Sequence, residues 1–124
     1  MRHDPELIEI LRDTIVGTVR RDGPDLSARQ LAVLLVCRLD DPPHTVRGLA
    51  VTLNVFKPAI TRAADRLEAL GLAERRSDPR DRRSVLIVPT ASGRALVKEM
   101  GEMMRAASKP RSVVLADVKA RMSA

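Results

Sequence analysis

The side chains in this sequence that are most able to do chemistry are cationic, and they are clustered. Residues 78–83 read Asp-Pro-Arg-Asp-Arg-Arg, and Lys57 and Arg62 stand upstream of them. Such groups bind phosphate oxygens, and a guanidinium can also pair with two acceptors on the edge of a guanine. Taken alone, a charge run like 78–83 is usually a solvated turn. Its meaning therefore depends on the elements that position it.

Most other site chemistry is excluded by composition. Cys37 is the only cysteine, which excludes an internal disulfide and a cysteine zinc site. The two histidines, His3 and His44, lie in separate segments, and no paired acid and base, nucleophile motif or metal cluster is visible. We therefore expect neither an enzyme nor a cofactor. Phe56 is the only aromatic residue, so a base-stacking platform for single-stranded nucleic acid is nearly excluded.

Cys37 itself lies within an apolar helical pattern. A redox sensor needs an exposed thiolate beside positive charge, and Arg38 points elsewhere on a helix. We expect Cys37 to be a small buried hydrophobic residue, with the sensor as the alternative.

Length and charge indicate the class of partner. A chain of 124 residues forms one domain, or one small domain with dimerising arms. Residues 1–56 carry 7 basic and 8 acidic groups, whereas residues 57–94 carry 9 and 5, so the basic excess begins at Lys57. A polyanion, most commonly duplex DNA, is the first expectation, and a merely soluble basic surface is the alternative. No apolar run approaches the roughly 20 residues of a membrane span, and the N-terminus lacks a signal-peptide pattern, so we expect a cytoplasmic protein without a membrane partner.

Apolar residues at helical spacing predict a mainly helical chain. Ser27 and Gln30 form a predicted capping box, and Pro58 suits the first turn of a helix that ends at Gly71. In the second helix, the leucine pattern predicts that Leu31, Leu34, Leu35 and Leu39 face inward. The predicted helices cover residues 5–19, 28–39, 46–53, 58–70, 91–107 and 112–122.

A β-hairpin with a basic tip is predicted directly after Gly71. Residues 72–76 and 84–88 are the two strands, and residues 77–83 are a polar turn between them. The two helices before it, 46–53 and 58–70, are joined by so short a segment that they make a helix-turn-helix. The fold class is therefore mainly α with a small β-hairpin wing, which is a winged helix-turn-helix. In this arrangement the second helix enters the major groove and the hairpin reaches along the duplex.

Several stretches resemble the MarR family of transcription regulators. They are Val46-Arg47-Gly48-Leu49-Ala50, the segment 54–62, the segment 65–75, the wing 78–83, and Val88-Pro89-Thr90-Ala91-Ser92-Gly93. The resemblance implies a single domain, in which residues 27–90 form the DNA-binding lobe and residues 1–22 and 91–124 form dimerisation helices. It also implies a homodimer on a palindromic site, a small-molecule effector, and repression as the commonest outcome.

The same resemblance assigns roles to individual residues. Arg62 reads a guanine edge or clamps a phosphate, and these two roles stay open. In the wing, Asp81 orients Arg83, which enters the minor groove. Phe56 stands where the family commonly has a serine or threonine cap, and we expect it to pack on the wing or a neighbouring helix, or to line a ligand pocket. The residues expected to contact DNA are Lys57, Pro58, Ala59, Thr61, Arg62, Arg80, Asp81, Arg82 and Arg83.

The terminal helices are expected to form the dimer because their apolar faces are too wide to remain wet in a monomer. The alternative is that both helices fold back onto their own domain. Because Phe56 is unusual beside DNA, a second hypothesis for function stays open. It is a dimeric protein-interaction module that modulates another regulator without specific DNA binding. The expected dimer residues are Leu7, Leu11, Ile15, Val114, Leu115 and Val118.

Overall fold

The computed structural model describes residues 4–110 and 121–122. Within these residues the chain forms five helices and one two-stranded antiparallel hairpin, which confirms the predicted mainly helical winged-helix class. The described residues divide into two compact units, one formed by Leu26–Val97 and the other by the described residues before and after it. The elements are α1 (Leu7–Arg20), α2 (Ala28–Leu39), α3 (Val46–Leu53), α4 (Lys57–Ala69), β1 (Ala73–Asp78), β2 (Asp81–Pro89) and α5 (Ala91–Ala107).

Side-chain caps set the starts of α2 and α3. The Ser27 hydroxyl accepts the Gln30 N–H at 3.1 Å, and the Gln30 side chain accepts the Ser27 N–H at 3.0 Å, which is the predicted capping box. The Thr45 hydroxyl accepts the Gly48 N–H at 2.9 Å at the start of α3. Each cap satisfies a backbone donor that the first helical turn leaves unpaired, and contributes typically about 1 kcal/mol.

A tight turn joins α3 to α4 and makes the helix-turn-helix. Asn54 ends α3 in the left-handed conformation, at φ 54° and ψ 49°, which asparagine tolerates better than most residues. The Val55 N–H donates to the Ala50 carbonyl at 3.0 Å and closes the turn. At the other end of α4, Gly71 takes a φ of 72°, as predicted for a C-terminal cap.

The core of the Leu26–Val97 unit is built around α4, which packs on α2, α3 and β1. The inward face of α4 is fully buried. The prediction for α2 is wrong in part: Leu39 is 68% exposed, while Val33 and Cys37 are buried with Leu34. Burial of each such aliphatic side chain contributes about 1.5–3 kcal/mol. The buried residues of α3 and α4 are Leu49, Ala50, Ile60, Ala63, Ala64 and Leu67.

The hairpin is longer and its turn tighter than predicted. Strands β1 and β2 extend to Asp78 and from Asp81, so the turn consists of Pro79 and Arg80 rather than residues 77–83. The pairing shifts between Ser77, which faces Val85, and Asp78, which faces Asp81. The Asp78 carboxylate accepts the Arg80 N–H at 2.9 Å and so stabilises the short turn.

Two further contacts fix the base of the hairpin. The Ile87 N–H donates to the His44 carbonyl at 2.9 Å, beside a single bridge between Thr45 and Leu86, so β2 is tied to the segment that begins α3. At the start of α5, the Thr90 hydroxyl donates to the Gly71 carbonyl at 2.6 Å and accepts the Gly93 N–H at 3.1 Å. The end of α4 and the start of α5 are therefore held at the same point.

The other unit contains α1. Its N-terminus is closed by the Glu6 N–H, which donates to the Glu9 carboxylate at 2.8 Å, and α1 begins at Leu7, two residues after the predicted start. Gly17 lies close to Met103, since a Cβ at this glycine would be 3.0 Å from the Met103 sulfur. Of the predicted helix 112–122, only residues 121–122 are described, and they are helical; Val114, Leu115 and Val118 lie outside the described residues.

Candidate nucleic-acid interface

The outward face of α4 carries the predicted contact residues. Lys57, Pro58, Thr61 and Arg62 are exposed, and Ala59 is half-buried. This follows from helical periodicity, because the buried stripe that starts at Ile60 turns the intervening positions to solvent. The first turns of α4 therefore present these side chains to solvent.

Arg62 is oriented by a contact within its own helix. Its Nε donates to the Pro58 carbonyl at 3.3 Å, and its side chain forms no ion pair with any described residue. The terminal nitrogens of the guanidinium thus remain able to donate elsewhere. Lys57, five residues earlier, likewise forms no ion pair within the described part of the chain.

The tip of the hairpin is shaped by two aspartates and presents three arginines. Asp81 accepts the Arg83 N–H at 3.0 Å and the Ser84 hydroxyl at 3.3 Å. Asp81 thus holds the main chain of Arg83, and no hydrogen bond joins it to the Arg83 guanidinium. Arg80, Arg82 and Arg83 are all exposed, and among residues 4–110 and 121–122 they have no acidic partner within ion-pair distance.

The arginines of β1 differ from those of the tip. Arg75 pairs with Asp65 of α4 at 2.6 Å and with Glu68 at 3.0 Å, and its N–H donates to Glu68 at 3.0 Å. The backbone and side-chain hydrogen bonds from Arg75 lower the pKa of Glu68, and the bonds to Glu68 and Asp65 raise the pKa of Arg75. Arg76 pairs with Glu74 at 2.9 Å. Arg75 therefore attaches the wing to α4 and Arg76 is neutralised within β1, whereas the tip arginines have no ion-pair partner among the described residues.

A surface hollow of about 670 Å³ lies at the start of α4. Its lining includes Pro58, Ala59 and Arg62 from the predicted site, together with Phe56 and Arg29. Phe56 is 89% exposed, so the expectation that it packs on the wing or a neighbouring helix is wrong. Arg29 was missed, because it lies on α2 and no sequence spacing links it to Arg62.

Cys37 is buried, as predicted, at 7% exposure. Burial, with a smaller contribution from the Asp40 charge, raises the pKa of its thiol from 9.0 to about 12. A thiol in this state is protonated at neutral pH and is a poor nucleophile. The described residues also contain no cluster of His, Cys, Asp and Glu suited to a metal ion, and none of their helices has the length and apolar character to cross a membrane.

Comparison with known sequences identifies relatives of this chain. A sequence model of the MarR family matches residues 22–84. The uncharacterized protein Rv2011c of Mycobacterium tuberculosis is 32% identical over 103 residues, which cover 78% of this chain and 72% of that protein.

Solved structures show the same architecture. Transcriptional regulator Tm0710 from Thermotoga maritima superposes with a TM-score of 0.67 at 29% identity, over 81% of this chain and 70% of that one. A mutant of MarR from E. coli, solved in complex with operator DNA, gives a TM-score of 0.62 at 29% identity, over 77% of this chain and 64% of that one. With its winged-helix fold and these relatives, the chain belongs to the MarR family of transcriptional regulators.

Proposed function

We propose that this protein binds a specific duplex DNA sequence through the start of α4 and the tip of the hairpin, and thereby regulates transcription. The observation that carries the proposal is the distribution of charge. Arg75 and Arg76 are paired with carboxylates, whereas Arg62 and the three arginines at residues 80–83 are exposed and have no ion-pair partner among the described residues. Unneutralised cations on one helix and one hairpin tip suit the phosphates and base edges of a duplex.

The two elements have different tasks in this proposal. The first turns of α4 enter the major groove, where Arg62 reads a guanine edge and Thr61 contacts a phosphate or a thymine methyl group. The hairpin follows the backbone, and Arg83 enters the minor groove, where narrow A·T tracts concentrate negative potential. Asp81 acts indirectly in this proposal. Its carboxylate accepts hydrogen bonds from the Arg83 N–H and the Ser84 hydroxyl, and so fixes the position of the Arg83 main chain. Lys57, Arg80 and Arg82 supply phosphate contacts.

We propose further that the DNA-binding species is a homodimer on a palindromic site. The apolar face of α1 supports this, since Leu7 is 84% and Ile15 43% exposed, and Leu11 and Val19 are also exposed. An exposed apolar stripe of this kind marks an association surface. Response to a small-molecule effector and repression as the outcome are supported by family membership alone. The proposed division into a lobe at residues 27–90 and dimerisation helices at 1–22 and 91–124 has the same support.

Alanine variants separate base reading from phosphate binding. A duplex is first selected from a random library by the unmodified protein, and affinities are then measured on it and on a shuffled duplex. Arg62→Ala is expected to weaken the selected duplex by about 1–3 kcal/mol and the shuffled one much less. Lys57→Ala should weaken both duplexes about equally and lower the salt slope by roughly one for each chain engaged. Arg83→Ala should relax a preference for A·T-rich flanks.

Arg38→Ala is the matched control for these variants, because Arg38 is exposed at the end of α2, outside the proposed interface, and has no ion-pair partner in the part of the chain that the structure describes. It should leave both affinities unchanged. Equal losses on the selected and shuffled duplexes for Arg62→Ala would contradict base reading by Arg62. Failure of the unmodified protein to bind any duplex at low salt would reject the regulator proposal and favour the protein-interaction module.

The dimer has its own test. Sedimentation velocity at micromolar concentration should give a species of twice the 13.6 kDa chain mass. The double variant Leu11→Asp with Ile15→Asp should shift it to the monomer, because two charges in the interface would be desolvated without partners. The control Arg12→Gln changes an exposed residue between them and should not. A monomeric unmodified protein would contradict the dimer.

A further inference from the structure

Phe56 is a prominent side chain that neither the fold nor the proposed function explains. It occupies the N-cap position of α4 but makes no side-chain cap hydrogen bond, although a serine or threonine there would stabilise the helix by typically about 1 kcal/mol. Its ring is 89% exposed, so it contributes almost nothing to the core. A large apolar side chain is thus held at the start of the recognition helix without a partner in its own unit.

The surroundings of Phe56 restrict what could cover it. It lines the 670 Å³ hollow with Arg29 and Arg62, and no acidic residue lines that hollow. Lys57 follows it directly and is exposed. The complementary surface is therefore one that is strongly negative yet offers an apolar group at short range.

Duplex DNA has one such apolar group in the major groove, the C5-methyl of thymine. The recognition helix of a helix-turn-helix presents its N-terminal residues to base edges, and Phe56 stands immediately before the first turn of α4. An aromatic ring at this point can reach a methyl group while the neighbouring cations contact phosphates and the Arg62 guanidinium contacts a guanine.

We propose that Phe56 is a specificity-determining residue that packs its ring on a thymine methyl group in the major groove. The inference rests on the proposed function and adds a contact that hydrogen bonding alone does not supply. It requires a thymine in each half-site at a fixed offset from the base read by Arg62. Removal of that methyl group exposes apolar surface on both partners, and the loss should be about fourfold in affinity for each methyl group.

The experiment uses the full-length protein and a duplex selected by it from a random library. Each thymine in the selected site is replaced in turn by deoxyuridine, which removes only the methyl group. One thymine position in each half-site should show the fourfold loss with the unmodified protein. Phe56→Ser should bind the thymine and uracil duplexes equally, and Phe56→Leu, which retains an apolar side chain, should keep part of the discrimination.

Phe56→Ser is expected to fold well, since it adds a favourable N-cap, and its denaturation curve checks this. The control Leu39→Ser changes another exposed apolar residue and should retain the full thymine preference. If every uracil response persists unchanged in Phe56→Ser, the proposal is overturned, because Thr61 then supplies the methyl contact. A uniform absence of response in the unmodified protein overturns it too. Loss of a DNA bend in Phe56→Ser without any uracil response would also overturn it, because the ring would then be acting as a wedge between bases. Specific binding without a uracil response rejects only the role of Phe56, whereas absence of duplex binding rejects the proposed function itself.

Discussion

Substitution of Gly93 by alanine probes the point where the wing returns to the helical body. An added Cβ would overlap the carbonyl oxygen of Leu72, and it would lie 3.0 Å from the Leu72 carbonyl carbon and 3.2 Å from Leu34 Cδ1. That carbonyl accepts the Thr90 N–H at 3.1 Å, so it cannot move without weakening a hydrogen bond. The start of α5 and the end of α4 must therefore separate to admit one methyl group.

The size of the effect follows from these contacts. Overpacking at a fixed backbone typically destabilises by about 1–3 kcal/mol, and loss of the Thr90 hydrogen bond adds about 1 kcal/mol. The higher helix propensity of alanine offsets up to about 1 kcal/mol of this. With the full offset, we expect Gly93→Ala to lower the free energy of unfolding by about 1–3 kcal/mol.

Gly101 offers a matched control in the same helix, because no atom lies within 4 Å of a Cβ added there. Gly101→Ala should raise the free energy of unfolding by about 0.5–1 kcal/mol through helix propensity alone. Both variants are measured by urea denaturation followed by circular dichroism at one protein concentration. If Gly93→Ala is as stable as the unmodified protein, the close approach of α5 to Leu72 is wrong.

The remaining predictions concern a thiol and an ion pair. Burial raises the pKa of Cys37 to about 12. A thiol reagent should therefore label the native protein slowly at pH 7–8 and the urea-unfolded protein quickly. Rapid labelling of the native protein, together with loss of DNA binding in peroxide, would restore the redox-sensor hypothesis. Because Arg75 lowers the pKa of Glu68 below its ordinary value of 4.5, the pair stabilises the fold above that pH, and the contribution is lost as the pH falls through the lowered pKa. Glu68→Gln should therefore lose less stability between pH 7 and pH 3 than the unmodified protein, as measured by urea denaturation at each pH. An unchanged difference between the two pH values would show that the Arg75 contact does not stabilise the wing.

Local signals made much of the fold predictable. The capping box at Ser27 and Gln30, the glycine at residue 71 and the threonine cap at residue 90 each fix a helix end through contacts within a few residues. The buried stripe of α4 follows from spacing alone. These features are local, so a single sequence contains the information that determines them.

The errors have two causes: contacts between distant residues, and a polar hairpin tip that shows no alternation. Leu39 was predicted to be buried because it continues a leucine pattern, but α2 presents Val33 and Cys37 to the core instead. The hairpin turn was predicted too long because the outer half of the hairpin is polar on both faces and shows no alternation; the carboxylates of Asp78 and Asp81 determine its geometry. The proximity of Arg29 to Phe56 depends on how α2 packs beside α4, which no spacing in the sequence encodes.

The measurement that tests the central claim most directly is a competition between the selected duplex and a base-shuffled duplex of the same length and composition, at near-physiological salt. Recognition by α4 and the wing predicts that the selected duplex binds at least about 1,000-fold more tightly, and that its affinity falls steeply as salt is raised. Equal affinity for the two duplexes would contradict the account, because the exposed arginines would then be only a nonspecific basic surface.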